Sequence, residues 1–330
     1  MITICQFGAG RIGAIHAANV ASRSDVRLKY IIDVNAAAAG ALARKHGASV
    51  GDQAAALADK EVNAVIIASA TDTHAELAMA SARAGKAIFC EKPIDLSLAR
   101  VDQCLAVVAA AKVPMFVGFN RRFDPSFAAL RRDLRAGRIG KVEQVIITSR
   151  DPGLPPVEYL KVSGGLFRDM TIHDFDMARW LLGEEPVEVH AMASVLVDPQ
   201  VKAVGDIDSA MVTMRTASGA LCHINNSRRA VYGYDQRIEV FGSAGMLQAG
   251  NRTPTTISHW GKDAISADKP LYFFLERYAE AYAVELNHFV DVVQGKAQPE
   301  VGAEDGRRAL VLAEAAYESL KSGRPARVPA

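Results

Sequence analysis

Short apolar runs, rich in β-branched residues, recur through the first 119 positions, at 3–7, 28–32, 64–68, 87–90 and 114–117. Their continuous apolar character predicts strands buried on both faces. Between them lie Ala-rich amphipathic stretches at 12–22, 36–46, 53–58, 73–84 and 97–111, which predict helices. The connections are too long for hairpins. Parallel strands joined by right-handed crossovers follow from this alternation. Ligands of such sheets sit beyond the carboxyl ends of the strands, so the residues after each run carry the interest.

The pattern changes after residues 118–125. A helix is expected over about 126–136, then strands near 142–149, 187–197, 210–216, 221–227, 236–241 and 245–249. Ala217-Ser218-Gly219 and Gly242-Ser243-Ala244-Gly245 have the small flexible residues of hairpin turns. Two long helices, about 276–294 and 303–321, close the chain. The expected fold is α/β: a parallel-sheet domain over 1–119, then an α+β domain over 120–330 with an open, mostly antiparallel sheet.

Composition narrows the partners. The chain has 330 residues, half of them hydrophobic, enough for two sizeable cores. Its 38 basic and 37 acidic residues balance to a net charge of +1. That balance argues against a nucleic-acid or anionic-membrane surface. Apolar runs are strand-length, well short of the ~20 residues of a membrane span. The first residues go straight into a strand, with no signal-peptide pattern. Cys5, Cys90, Cys104 and Cys222 are scattered without metal-binding spacing. They read as reduced, mostly buried residues of a cytoplasmic protein.

The first strand runs into Gly8-Ala9-Gly10-Arg11-Ile12-Gly13, which opens a helix. This is the strand–turn–helix context in which a G-x-G-x-x-G pattern marks a dinucleotide site, the Rossmann arrangement. Gly8 allows the tight turn, Gly10 lets backbone approach a pyrophosphate, and Gly13 lets helix and strand pack closely. The N–H groups that begin the helix, through Arg11 and Ile12, face the phosphates. Asp33 ends the second strand twenty residues beyond Gly13. A carboxylate there accepts from both adenosine ribose hydroxyls and repels a 2′-phosphate, so the expected cofactor is NAD rather than NADP. The plain alternative for Asp33 is a helix N-cap. Ser69, Ala70 and Thr71 follow the third of these runs and can line the nicotinamide ribose, or cap the next helix. His74, in that helix's first turn, is either a cofactor contact or a solvated neighbour of the cap.

Glu91-Lys92-Pro93 follows the fourth run. A lysine held there can donate to a substrate hydroxyl and stabilise a developing alkoxide; the alternative is an exposed loop lysine. Asp169, His173 and Asp176 have the spacing of one helix face, entered from Gly164-Gly165. Asp169 can orient His173, and His173 can take a hydroxyl proton as hydride leaves. A solvated ion pair is the competing reading. A metal site is not expected, because no compact set of further ligands accompanies the pair. Of Arg121 and Arg122, one can face a polyol or a phosphate, the other a structural carboxylate. Tyr232 or Tyr234 can face a sugar, though a sheet tyrosine is more often core.

These segments together resemble the Gfo/Idh/MocA oxidoreductases over nearly the whole chain. The likeness rests on Gly8 to Gly13 with His16, Glu91-Lys92-Pro93, the 118–124 segment, the 164–176 segment and the 232–237 segment. It is strongest with the family's inositol-oxidising branch. The resemblance implies a Rossmann domain, then an α+β domain whose open sheet makes the contacts of a homotetramer. It implies NAD-dependent oxidation of myo-inositol at C2, giving 2-keto-myo-inositol. The same chemistry on scyllo-inositol or an aldose is the near alternative, and a non-catalytic NAD-binding regulator the distant one. By the same resemblance Lys92, Asp169 and His173 are catalytic. Asp176, Tyr232 and one of Arg121 and Arg122 contact the substrate. Some inositol enzymes carry a histidine early in the second domain, where this chain has Asp151-Pro152-Gly153.

Overall fold

The computed structural model describes residues 1–329. They divide into two compact units, one made of Met1–Asn120 with Ala281–Leu310, the other of Arg121–Glu280 with residues 311–329.

The first unit begins β1 (Ile2–Phe7), α1 (Arg11–Ala21), β2 (Val26–Ile32), α2 (Ala36–His46), β3 (Ser49–Val50) and α3 (Gln53–Ala58). It continues β4 (Ala64–Ile67), α4 (Thr71–Arg83), β5 (Ala87–Cys90), α5 (Leu98–Ala111) and β6 (Met115–Val117). The six strands form one sheet in the order β3-β2-β1-β4-β5-β6, and every neighbouring pair is parallel. This is the doubly wound order, with its switch point between β1 and β4. β4, β5 and β6 are buried at every position, which is why their sequences are continuously apolar rather than alternating.

Residues 281–310 also belong to this unit. They supply most of α12 (Ala279–Val293) and the first turns of α13 (Ala303–Ser322). Phe289 of α12 packs edge-on against Phe89 of β5, ring centres 5.5 Å apart. Phe89 stacks in turn on Phe116 of β6 at 5.2 Å.

A 3₁₀ turn, Asn120–Phe123, carries the chain from the first unit into the second. Then come α6 (Pro125–Arg135), β7 (Val142–Arg150), α7 (Val157–Leu160), α8 (Leu166–Asp169), α9 (Ile172–Leu182) and β8 (Pro186–Ser194). α10 (Pro199–Ala203), β9 (Ser209–Thr216), β10 (Leu221–Ser227), β11 (Asp235–Gly242) and β12 (Gly245–Ala249) follow. A small hairpin, β13 (Ser258–Trp260) with β14 (Ile265–Ala267), and α11 (Phe274–Arg277) precede α12; β15 (Ala326–Arg327) comes last. The sheet runs β12-β11-β7-β10-β9-β8-β15. It is antiparallel except for the β10–β7 pair.

Burial along β9 alternates strictly from Ala210 to Thr216. One face of the sheet is therefore core and the other exposed. The exposed face carries apolar side chains, among them Met192 (70 % exposed), Met211 (55 %) and Met246 (50 %).

Candidate active site

The glycine turn is dictated by backbone proximity. Gly8 has φ 103°, and a Cβ on it would fall 2.2 Å from the carbonyl oxygen of Ala68 at the end of β4. A Cβ on Gly13 would fall 2.3 Å from the Gly8 carbonyl oxygen. Only glycine lets β1, β4 and α1 come this close. Gly10 differs, since a Cβ there would meet nothing within 4 Å. Its open surroundings, at the N-terminus of an 11-residue helix, fit the approach of a pyrophosphate.

Asp33 closes β2 with its carboxylate turned to this loop. Oδ2 accepts from the Ala9 N–H at 2.7 Å, and Oδ1 from the Asn35 N–H at 2.8 Å. The N-cap of α2 is Asn35, which accepts from the Ala38 N–H at 3.1 Å. Asp33 is thus not spent on capping, and its remaining lone pairs suit ribose hydroxyls. Asp33→Ala is expected to weaken NAD binding about 10- to 100-fold, the scale of a hydrogen bond to a charged group. It should also relax discrimination against NADP, and competition titration checks both. An unchanged preference would remove Asp33 from that role.

After β4, α4 starts at Thr71 with Ala70 in the cap position and no side-chain cap. The Thr73 hydroxyl donates to the Ala70 carbonyl at 2.7 Å and lies 2.7 Å from Ser69 Oγ. His74 is buried rather than solvated. Its Nδ1 lies 2.8 Å from the carbonyl oxygen of Pro93, and its Nε2 lies 3.1 Å from that of Ser69. Burial drives the His74 pKa down, against the pull of both carbonyls. With its one N–H on Nδ1, the shorter of the two contacts, neutral His74 donates to the Pro93 carbonyl and ties α4 to the loop after β5.

Lys92 sits in that second loop, half-buried, and its bond to Pro93 is cis. On its other side, Glu91 Oε1 is 2.7 Å from His16 Nε2 of α1. Buried histidines from α1 and α4 thus hold both neighbours of Lys92.

In the second unit the expected single helix is two. α8 ends at Asp169, Met170 and Thr171 intervene, and α9 carries His173 in its first turn and Asp176 in its second. The break is held by a contact from a distant strand. Thr171 N–H still bonds back to the Leu166 carbonyl at 3.0 Å, and its hydroxyl donates to Asn226 Oδ1 at 2.8 Å, pinning the junction to β10. Asp169 and His173 flank this junction, both partly exposed. Asp169 is held from two sides: Tyr159 OH donates to Oδ1 at 2.7 Å, and Arg228 Nη2 donates to Oδ2 at 3.1 Å.

Tyr159 and Arg228 escaped the sequence reading. Nothing local marks them, because Arg228 lies 59 residues from the carboxylate it holds. Arg228 also stands 3.8 Å from Asp151. Burial pushes the Asp151 carboxyl up to about 6, with Arg228 pulling the other way.

Both arginines of the 120–124 segment are buried and paired with α9. Arg122 grips Asp176 with two donors, Nε to Oδ2 at 2.8 Å and Nη2 to Oδ1 at 2.5 Å. Arg121 donates to Asp174 Oδ1 and to Ser149 Oγ. Asn226 completes Asp174 with a bond of 2.8 Å to Oδ2. Burial raises the Asp174 pKa, and Arg121 opposes the rise. Asp176 is fully buried. Tyr232 is exposed; its hydroxyl donates to Asp235 and accepts from Arg150 Nη1 at 3.0 Å. Tyr234 is core. All four cysteines are free and buried. No group of three or more metal-ligating side chains occurs among the described residues. No helix there is long and apolar enough to cross a membrane.

A parallel sheet with a phosphate-ready turn, joined to an open-sheet unit carrying an aspartate and a histidine at a helix junction, defines an NAD-binding oxidoreductase. Residues 2–119 match the oxidoreductase family with the NAD-binding Rossmann fold, and residues 127–248 match the GFO/IDH/MocA C-terminal domain. The chain belongs to the Gfo/Idh/MocA family. It is 52% identical to an inositol 2-dehydrogenase of Rhizobium meliloti, over 96% of each chain. A myo-inositol dehydrogenase structure from Corynebacterium glutamicum superposes with a TM-score of 0.95 at 41% identity, covering 100% of this chain and 99% of that one. A scyllo-inositol dehydrogenase from Lactobacillus casei, solved with NAD(H) and scyllo-inositol bound, gives 0.92 at 27% identity, covering 99% of both.

Proposed function

We propose that this protein oxidises myo-inositol at C2 to 2-keto-myo-inositol, with Lys92, Asp169 and His173 as the catalytic groups. NAD, when bound, supplies the nicotinamide C4 that accepts the hydride. Lys92 donates to the C2 hydroxyl oxygen and stabilises negative charge as the proton departs. His173 takes that proton, and Asp169 favours the resulting imidazolium. Asp169 suits the task because Tyr159 and Arg228 fix both of its oxygens. The observation that carries the reading is the framing of Lys92: a lysine whose two neighbours are locked by buried histidines is built for a fixed position.

Gly8, Gly10, Arg11, Ile12, Gly13 and Asp33 hold the pyrophosphate and adenosine ribose in this account. Ser69, Ala70, Thr71, Glu91 and Lys92 border the nicotinamide end, and His74 braces them. Tyr232 meets a ring hydroxyl of the polyol. Arg121, Arg122 and Asp176 act from behind, as the buried frame of α9.

The same chemistry on scyllo-inositol is the second reading, favoured by the likeness to the enzyme solved with that sugar. NADH production measured over myo-inositol, scyllo-inositol and aldoses separates the two. Turnover of an aldose but of neither inositol would sink both. The apolar open face of the second unit's sheet supports assembly through that face, as the homotetramer the family resemblance implies; four free, buried cysteines suit the cytoplasm. Met211→Lys, which puts a charge on that face, is expected to give smaller particles by light scattering. An unchanged mass would place the contact elsewhere.

A further inference from the structure

Glu285 of α12 is fully buried in the first unit. Neither of its carboxylate oxygens has a hydrogen-bond donor from the protein. The charged group that acts on it is another carboxylate, Glu91, at the end of β5. Glu91 is itself buried and already committed to His16. No cationic group acts on Glu285 to offset it. Tyr282, one turn earlier on α12, faces the His16 ring at 5.9 Å. His74 of α4 faces the carbonyl oxygens of Pro93 and Ser69, and burial favours its neutral form. An unpaired carboxylate in such a place would be very costly, and two together more so.

We propose that Glu285 carries a proton at neutral pH, so that Glu285 and Glu91 together hold a single negative charge and Glu91 stays against His16. Glu285 is then a positioning residue for the Glu91-Lys92-Pro93 segment. Were Glu285 ionised, repulsion would push the Glu91 carboxylate out of the space it occupies beside Gly118. That space is tight: a Cβ on Gly118 would come within 2.9 Å of Glu91 Oε2. The direction agrees with the chemistry, since burial first and the Glu91 charge second raise the Glu285 pKa well above the ordinary 4.5.

The proton itself is testable without turnover, so failure here is distinct from failure of the proposed function, on which only the positioning role rests. The infrared spectrum of the intact protein at pH 7 should contain a protonated-carboxyl stretch that Glu285→Gln removes. Linkage gives a second measurement. The unfolded chain loses this proton near pH 4.5 and the folded chain only later. The wild type's folding constant relative to that of Glu285→Gln should therefore fall about tenfold per pH unit above that point, until the folded group itself ionises. Glu285→Met, also neutral, should show the same trend and serves if the glutamine variant does not fold. For positioning, the alkaline limb of the kcat/KM profile should move to higher pH in Glu285→Gln. No band lost at pH 7, or a stability difference flat with pH, would show Glu285 ionised and overturn the proposal. An unmoved alkaline limb would overturn the positioning role.

Discussion

His173→Ala is expected to lower kcat by about 10²- to 10⁴-fold, the range a positioned general base supplies. NAD affinity should change little, because the turn and carboxylate assigned to the cofactor belong to the other compact unit. Steady-state kinetics with myo-inositol, alongside a fluorescence titration of NADH, separates the two effects. Lys92→Ala should show a comparable fall in kcat, through loss of the group that stabilises the alkoxide. Near-normal turnover of the His173 variant would mean that another group takes the proton. A fall in NADH affinity large enough to explain the loss would mean that His173 acts on binding instead.

The second large effect is on stability. Arg122 and Asp176 form a two-donor ion pair, each side chain at most 5% exposed. The Arg122 guanidinium also lies 5.8 Å from the centre of the Trp180 ring. Asp176→Ala leaves that guanidinium buried without its counter-charge, and a loss of about 3–5 kcal/mol is expected. Replacing both partners by apolar residues of similar volume, Arg122→Met with Asp176→Leu, removes the uncompensated charge and should restore most of the loss. Urea unfolding of the single and double variants is the measurement. A double variant as unstable as Asp176→Ala would show that the pair's worth lies in specific geometry rather than in balanced charge. The cost reaches the site because the same helix carries His173.

How far these features could be read in the chain depends on how local their causes are. The glycine turn and Asp33 were legible because a tight turn, a close strand–helix approach and a strand-end carboxylate are each written within a few residues. The alternation of buried strands and helices was legible for the same reason. The helix through Asp169 and His173 was not. Its apolar spacing runs on across Met170 and Thr171, and the contact that breaks it comes from Asn226, 55 residues away. Arg121 and Arg122 had two readings because an arginine does not announce its partner. Theirs lie 53 and 54 residues along the chain. Glu285 was invisible altogether: a lone glutamate in an amphipathic helix looks like a solvated one until the helix is seen docked.

That docking bears on how the protein can be made and cut. The ring stack of Phe89 and Phe116 meets Phe289, and His16 meets Tyr282. On the ribosome the dinucleotide-binding portion must wait for some 160 further residues before its last aromatic cover arrives. A fragment stopped after residue 120 would therefore expose a sticky aromatic surface. A transplant of this portion into another enzyme would have to carry residues 281–310 as a separate strip.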